Sequence, residues 1–337
     1  MKNFQHHARK ECVFFSSHPE NSFYVGAGDA WQVERSKFDQ MMLHEALQRG
    51  AACVHGKVSN IHHEDNLWTV SIQTDEGHQQ LSSCFVIDAS GQQRFTQKKG
   101  FWGTLQDGDY AHQIAFFGHF KGVQRQAVDM HDTLIFHRKN HEWAWMIPLS
   151  TSMTSIGLVV PVAEFKKRTL SINDYINEQL QSFSEPLQQR ISRISISNDI
   201  QAVSNYSFSI ENYAQNGLFC VGDSHRFIDP IFSFGVQFAV VEEEYVSQAI
   251  VDCAQSDASR CQLIHEHYMA VTTQAQDVIQ DMLSYFWKHP WGFENMAHHR
   301  YADEFLEIFA GRIYEKKAGA GLLRMREVLT RMVHESP

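Results

Sequence analysis

The segment Gly217–Ala239, GLFCVGDSHRFIDPIFSFGVQFA, constrains the fold more than any other stretch of the chain. Leu218 to Val221 reads as a short buried strand. Gly222 and Asp223 form a turn, a Phe-Ile-Asp-Pro loop follows, and a helix opens at Phe234 or Gly235. A strand that ends in an Asp and leads to a helix N-terminus with a small residue suits a polar ligand. The Asp223 carboxylate accepts hydrogen bonds from hydroxyls. The unpaired N–H groups of the first helical turn, around Phe234 to Val236, favour an anion or an electron-rich ring.

The rest of the chain predicts a mixed α/β fold. Phe38, Met41, Met42, Leu43, Ala46 and Leu47 recur at helical spacing, and Gly50 ends that helix. Residues 52–58 and 67–73 read as strands. Cys84 to Ala89, CFVIDA, is a continuous apolar run closed by Asp88 and Gly91, the pattern of a doubly buried parallel strand. HQIAFFGHF, TLIFH, WAWMIPL and SIGLVV, within residues 112–161, predict an antiparallel sheet. Beyond Gly235 the chain reads as helix. Ser256 or Asp257 caps a long one through Trp287 that Pro290 stops, and further helices cover about 301–316 and 320–334. Interleaved elements of this kind imply two domains that share the chain discontinuously. Residues 1–105 and 205–255 make one, built of parallel β/α pieces. Residues 106–204 make an inserted antiparallel substrate domain, and 256–337 a helical C-terminal region.

Composition excludes several classes. A net charge of −10 argues against a nucleic-acid surface. No apolar run is long enough to span a bilayer, and the polar N-terminus MKNFQHHARKEC has no signal-peptide core. The six cysteines form no C-x-x-C pair, so reduced thiols in a cytoplasmic protein are expected. The adjacent histidine pairs point apart, and no zinc-ligand spacing appears, so no protein-bound metal is expected.

Four segments stand in a telling order: Trp31–Asp39 (WQVERSKFD), Val86–Gly91 (VIDASG), Trp143–Pro148 (WAWMIP) with Thr154–Gly157 (TSIG), and GDSHRFIDPIFSFGV from Gly222. Together they resemble the FAD-dependent halogenases, particularly those acting on phenols and pyrroles. Trp143, Trp145, Ile147 and Pro148 reproduce the W-x-W-x-I-P signature that separates these halogenases from other flavin monooxygenases. The resemblance implies FADH₂-dependent halogenation of an electron-rich aromatic, possibly presented on a carrier, with O₂ and chloride or bromide. A separate flavin reductase would supply FADH₂, since no NAD(P)H-binding segment is evident.

The resemblance also implies residue roles. Arg35 lies near the flavin, where a guanidinium can bond ring or phosphate oxygens. Asp88, Gly91, Gly222, Asp223, Pro230 and Gly235 contact or shape the cofactor site. The N–H groups of Phe234 and Gly235 hold the halide. Trp143, Trp145, Ile147 and Pro148 partition flavin from substrate. Lys10, in a Lys-Glu-Cys-Val-Phe-Phe segment, stands at the lysine that activates hypohalous acid beside the substrate. Each residue has a plainer reading: a surface ion pair for Arg35, a strand-to-loop turn for Asp88 and Gly91, core filling for the tryptophans, an exposed chain end for Lys10.

Three departures keep other functions open. Phe234 stands where the family has Ser or Thr, and Gly-Asp-Ser-His replaces Gly-Asp-Ala-Ala. No G-x-G-x-x-G leads from a strand into a helix, and Gly26-Ala-Gly28 ends in Trp31. The Rossmann-like FAD-binding domain that the resemblance implies for residues 1–105 and 205–255 is thus incomplete, its first βαβ unit lacking, as in a fragment, a shortened product, or a version that tolerates the loss. The alternatives are a flavin monooxygenase or reductase of the geranylgeranyl-reductase type, and a catalytically inactive relative serving as a binding protein.

Overall fold

The computed structural model describes residues 8–9, 12–16, 23–25, 29–30, 32–108, 112–127, 130–138, 141–194, 200–205, 207–314 and 318–335. Its centre is a seven-stranded sheet. In spatial order the strands are Gln201–Asn205, Gln113–Lys121, Met153–Pro161, Trp143–Pro148, Thr133–His137, Cys12–Ser16 and Phe23–Val25. The pairing is antiparallel except where 12–16 runs parallel to 133–137. Two strands from the first 25 residues therefore belong to this sheet.

Strand alternation gives the sheet two apolar faces. Phe116, Leu134, Phe136, Ala144, Met146, Ile156 and Leu158 point one way and pack against Tyr175, Ile176, Leu180, Leu187 and Ile191. The last five come from the helices Ile172–Gln181 and Glu185–Ile191. Ser171 caps the first of these by accepting from the Asp174 N–H. Ala115, Ile135, Trp143 and Val159 point the other way, onto residues 228–238 and the C-terminal helices.

A second, smaller sheet carries the opening segment. Leu218–Cys220 pairs in parallel with Val86–Asp88 and antiparallel with Ala214–Gln215. Both parallel strands therefore end at the same edge. The 86–88 strand is not doubly buried: it is an edge strand among the described residues, and Ile87 is 43% exposed. A three-stranded meander, Lys57–Glu64, Leu67–Thr74 and Gly77–Ser83, is anchored by Trp68, whose Nε1–H donates to the Asn216 carbonyl at 2.8 Å.

Arg35–Gln48 is helical as its spacing predicts, yet buries no residue and exposes Met41, Met42, Leu43 and Leu47. Helix Gly235–Ala254 follows the opening segment. Helix Ala258–Lys288 is capped by Asp257, which accepts from the Arg260 N–H. Among the described residues of 301–316 the helix is shorter than predicted, Ala302–Phe309, and Ala320–Glu335 closes the described chain. No helix among the described residues is long and apolar enough to cross a membrane.

The cysteines depart from the expectation of reduced thiols. Cys253 and Cys261 form a disulfide across the turn between the two long helices. Cys53 and Cys84 are exposed and free. Cys220 is a buried free thiol that burial pushes up to about 12, so it is unreactive at neutral pH.

Two buried side chains oppose one another in acid. Burial pulls the His137 imidazole down to about 4 and pushes the Asp229 carboxyl up to about 7, the latter opposed by hydrogen bonds from Ile231 and Gln113. His137 contributes stability above its ordinary value, and that contribution is lost as pH falls toward 4. Asp229 does the reverse: its contribution is present below its ordinary value and lost as pH rises through 7. Between these limits the two slopes offset each other. Asp229→Asn should remove one of them, making the protein less stable at about pH 5 than at about pH 7.5 by about 2 kcal/mol more than wild type. Urea unfolding at the two pH values measures this.

Candidate functional site

The ends of the parallel pair define the site. After Asp88 the chain enters a turn, Gly91–Gln93; after Cys220 it enters another, Gly222–Ser224, and the two turns pack together. Ligands in α/β sheets gather at such carboxyl ends. Gly91 and Gly222 take φ of +59° and +57°, left-handed backbone that glycine adopts most readily. Open space surrounds Gly91 where a Cβ would stand, whereas a Cβ on Gly222 would touch Ala239.

Asp88 holds this edge together. One carboxylate oxygen accepts from the Ser90 N–H at 2.9 Å, the other from the Thr96 N–H and hydroxyl at 2.8 and 2.6 Å. Its carboxylate is engaged inward, so it shapes the turn rather than offering a free oxygen. Asp223 differs. Burial raises its carboxyl above the ordinary range, against a hydrogen bond from Gln92 and the nearby charges of His225 and Arg35. Arg35 opens helix 35–48, pairs with Asp39 at 2.9 Å and feels the Asp223 charge. Gly91, Gln92, Gly222 and Asp223 thus meet at one edge, with the Arg35 charge acting on Asp223 from outside it.

The Gly-Asp-Ser-His departure is built in. The Ser224 hydroxyl donates to the Asp88 carbonyl at 2.7 Å, tying one turn to the other. Glu242, fully buried on helix 235–254, accepts from the Gly222 N–H, sits 3.0 Å from His225 Nε2, and accepts from Gln276 at 2.9 Å. Tyr213 stacks on His225 with centroids 3.9 Å apart, its hydroxyl within bonding distance of Thr272 and Thr273. Sequence reasoning missed Gln92, Glu242, Gln276 and Tyr213. Only Glu242 left a trace: it shares a helical stripe with Phe238, Val246, Ala249 and Cys253, an acid on an otherwise apolar face.

The second half of the opening segment forms the floor. Asp229 accepts from the Ile231 N–H at 3.1 Å, and Pro230 starts a single turn, Pro230–Phe232, where its missing N–H costs nothing. Ser233 reverses the chain with φ of +59°, and helix 235–254 begins. The Phe234 ring is buried among Phe238 and Phe309, with centroids 5.8 and 6.0 Å away. It therefore points into the core, away from the helix end. Gly235 is exposed with nothing near its missing Cβ, so the first-turn N–H groups remain approachable.

Trp143 and Trp145 stand on the same sheet face as one another, 5.5 Å apart, in the apolar cluster that contains Phe232, Phe234 and Phe238. Trp145 lies over Gly157 of the neighbouring strand and donates to the Ser155 hydroxyl at 3.1 Å. Ile147 and Pro148 finish that strand, half-buried. The WAWMIP and TSIG segments are thus joined to the FIDPIFSFG segment through one core. Lys10 lies outside the described residues.

A parallel pair with a Gly-Asp turn at its carboxyl end offers a ligand edge of the kind α/β cofactor enzymes use. The comparisons agree. A family model described as tryptophan halogenase matches residues 3–320. A 1H-pyrrole-2-carbonyl-(peptidyl-carrier protein) brominase of Pseudoalteromonas luteoviolacea (strain 2ta16) is 31% identical over 301 residues, 88% of this chain and 73% of the relative. The corresponding chlorinase of Pseudomonas fluorescens is 21% identical over 97% of this chain and 74% of its own length. The solved flavin-dependent brominase Bmp2 superposes with a TM-score of 0.91 at 27% identity, over 97% of this chain and 83% of its own. The chain belongs to the tryptophan halogenase family of flavin-dependent halogenases. The monooxygenase, reductase and inactive-relative alternatives are not favoured.

Proposed function

We propose that this chain halogenates an electron-rich aromatic, with pyrrole-type rings on a carrier protein as the substrate class. The observation that carries this is that the Gly91–Gln93 and Gly222–Ser224 turns, with Gln92 and Asp223, pack together against helix 235–254, whose open first turn adjoins a core that includes Trp143 and Trp145. The two relatives named for pyrrole-2-carbonyl carrier proteins support the substrate class.

The residues present fit the ring and ribityl half of a flavin. Glycine backbone at 91 and 235 leaves room for close approach, and Asp223 and Gln92 offer bonding partners at the same edge. Reduced FAD, when bound, supplies the O₂ activation that turns halide into an electrophilic halogen. In this reading Asp223 accepts from cofactor hydroxyls, and Arg35 balances its charge. The Phe234 and Gly235 N–H groups hold chloride or bromide at the helix end. Trp143 and Trp145, with Ile147 and Pro148, separate the oxidising site from the substrate. Lys10 presents the electrophile to the ring. Residues 106–204, together with the strands that 12–16 and 23–25 add to the same sheet, carry the substrate side; the rest of 1–105 and 205–255 form the cofactor side, and the C-terminal helices of 256–337 pack on both. A separate reductase supplies FADH₂ in the cytoplasm.

The test supplies the purified chain with FAD, a flavin reductase, NADH, bromide and pyrrole-2-carbonyl carrier protein. The expected product shows the bromine isotope pair by mass spectrometry, and Lys10→Ala reduces it about a hundredfold or more. Bromide-independent hydroxylation would point to a monooxygenase instead. Normal bromination by Lys10→Ala would remove that residue from the mechanism.

A further inference from the structure

We propose that Cys253, Cys261 and His265 form a reversible thiol–disulfide exchange site for an external dithiol, linked through His265 to the strand that leads into the Gly222–Asp223 turn. The exchange chemistry does not depend on the halogenation reading.

The three groups sit together at the open end of the two-helix hairpin. Cys253 lies in the last turn of helix 235–254 and Cys261 in the first turns of helix 258–288. Their disulfide spans only the turn between the helices, with Cα atoms 4.8 Å apart. His265 is one turn beyond Cys261 on the same helix face, and its Nδ1 lies 4.0 Å from the Cys261 sulfur. The other ring nitrogen is already committed: Nε2 accepts the Gly217 N–H at 3.2 Å. A neutral imidazole that accepts at Nε2 carries its proton on Nδ1. That proton therefore points toward Cys261 Sγ. Burial holds the ring below its ordinary value, so this neutral form prevails near pH 7.

An Nδ1–H donor and the positive end of a helix both favour thiolate at Cys261 over thiol. Cys261 is also the more exposed of the two residues: it is half-buried, whereas Cys253 is 6% exposed. The geometry gives an order of events. One thiolate of the dithiol attacks Cys261 Sγ. The Cys253–Cys261 bond breaks, and Cys253 leaves and takes a proton. The second thiol of the reductant, deprotonated, attacks its own sulfur in the mixed disulfide and releases Cys261 as thiolate beside His265. The dithiol becomes a cyclic disulfide, and the protein has gained two electrons and the protons its thiols retain. The same tautomer argues against a metal at these three residues, because a ligating Nδ1 would place a proton on Nε2, opposite the Gly217 N–H.

The link to the cofactor edge is physical. Gly217 precedes strand 218–220, the Phe219 ring lies 4.8 Å from His265, and Tyr268, one turn further along, donates to the Cys220 carbonyl at 2.7 Å. His265, Tyr268, Thr272 and Gln276 form one buried polar stripe on helix 258–288. The disulfide fixes the start of that stripe.

The test equilibrates the whole chain in graded dithiothreitol redox buffers, alkylates free thiols and counts modified cysteines by mass spectrometry. Cys253 and Cys261 should change together and reversibly. His265→Gln should require a roughly five- to tenfold higher ratio of reduced to oxidised dithiothreitol for half-reduction. In wild type, amide hydrogen exchange at residues 217–220 should quicken on reduction, and Cys253→Ser should show the quickened rate without reductant. A pair that resists fully reduced dithiothreitol in the native protein would be a structural disulfide and would overturn the proposal. So would an unchanged midpoint in His265→Gln, unchanged exchange at 217–220, or stoichiometric zinc retained by the reduced protein.

Discussion

Glu242→Ala is expected to unfold more readily than wild type by about 3–5 kcal/mol, lowering the melting temperature by roughly 5–10 °C. The reason is what the carboxylate leaves behind. Gly222 N–H, His225 and Gln276 all converge on it in a place that water does not reach. An alanine leaves each of them buried without its partner, and the desolvation each group has suffered is no longer repaid. The loss falls directly behind the Gly222–Asp223 turn, so flavin affinity should fall with stability. Glu242→Gln separates the causes. It keeps an acceptor for Gly222 and nearly the same volume, and changes the charge beside His225. A glutamine variant as stable as wild type, with unchanged flavin binding, would show that hydrogen bonding and not charge holds the turn. An alanine variant of wild-type stability would refute the account. Thermal unfolding and a flavin fluorescence titration of the three proteins decide it.

Gly157→Val should disturb the antiparallel sheet at the point where WAWMIP meets TSIG. Gly157 pairs with Trp145, and the indole lies over it so closely that a Cβ would overlap the ring. The backbone is extended there, so the constraint is space rather than φ. A valine must push Trp145 off the sheet face, breaking its bond to Ser155 and disturbing its packing with Phe117 and Trp143. Overpacking of this kind costs about 1–3 kcal/mol. Displacing the ring from its place beside Trp143 should lower halogenation about a hundredfold, the scale of a misplacement near 1 Å at a reacting site. Near-ultraviolet circular dichroism reports the moved indole, and product formation reports the chemistry. A valine variant with wild-type spectrum and rate would mean that TSIG and WAWMIP are not coupled.

Some of this was legible in the residues. The strand, turn and helix of Gly217–Ala239 were written as an apolar tetrad, a Gly-Asp pair and a helical stripe, each a local pattern with a local cause. The same holds for the alternating strands of the large sheet and for the Asp257 cap. Trp143 and Trp145 had to share a face because strand side chains alternate. The burial of Ile87 was misjudged because an apolar run reports what a residue would prefer, not whether a neighbour is there to cover it. The disulfide was missed because Cys253 and Cys261 are joined by a helix–turn–helix geometry, and no sequence spacing announces it.

Alone, the sequence determined the element types, the Gly-Asp turn and the family, since propensity, periodicity and motif order act over neighbouring residues. The tertiary structure alone decided that the Phe234 ring turns into the core and leaves the helix end open. It also decided that Ser224 and His225 are answered by Asp88 and Glu242, and that His265 reaches Gly217. These are contacts between residues up to 136 positions apart, and their energies depend on burial and partner geometry, which exist only once the helices have packed against the sheets.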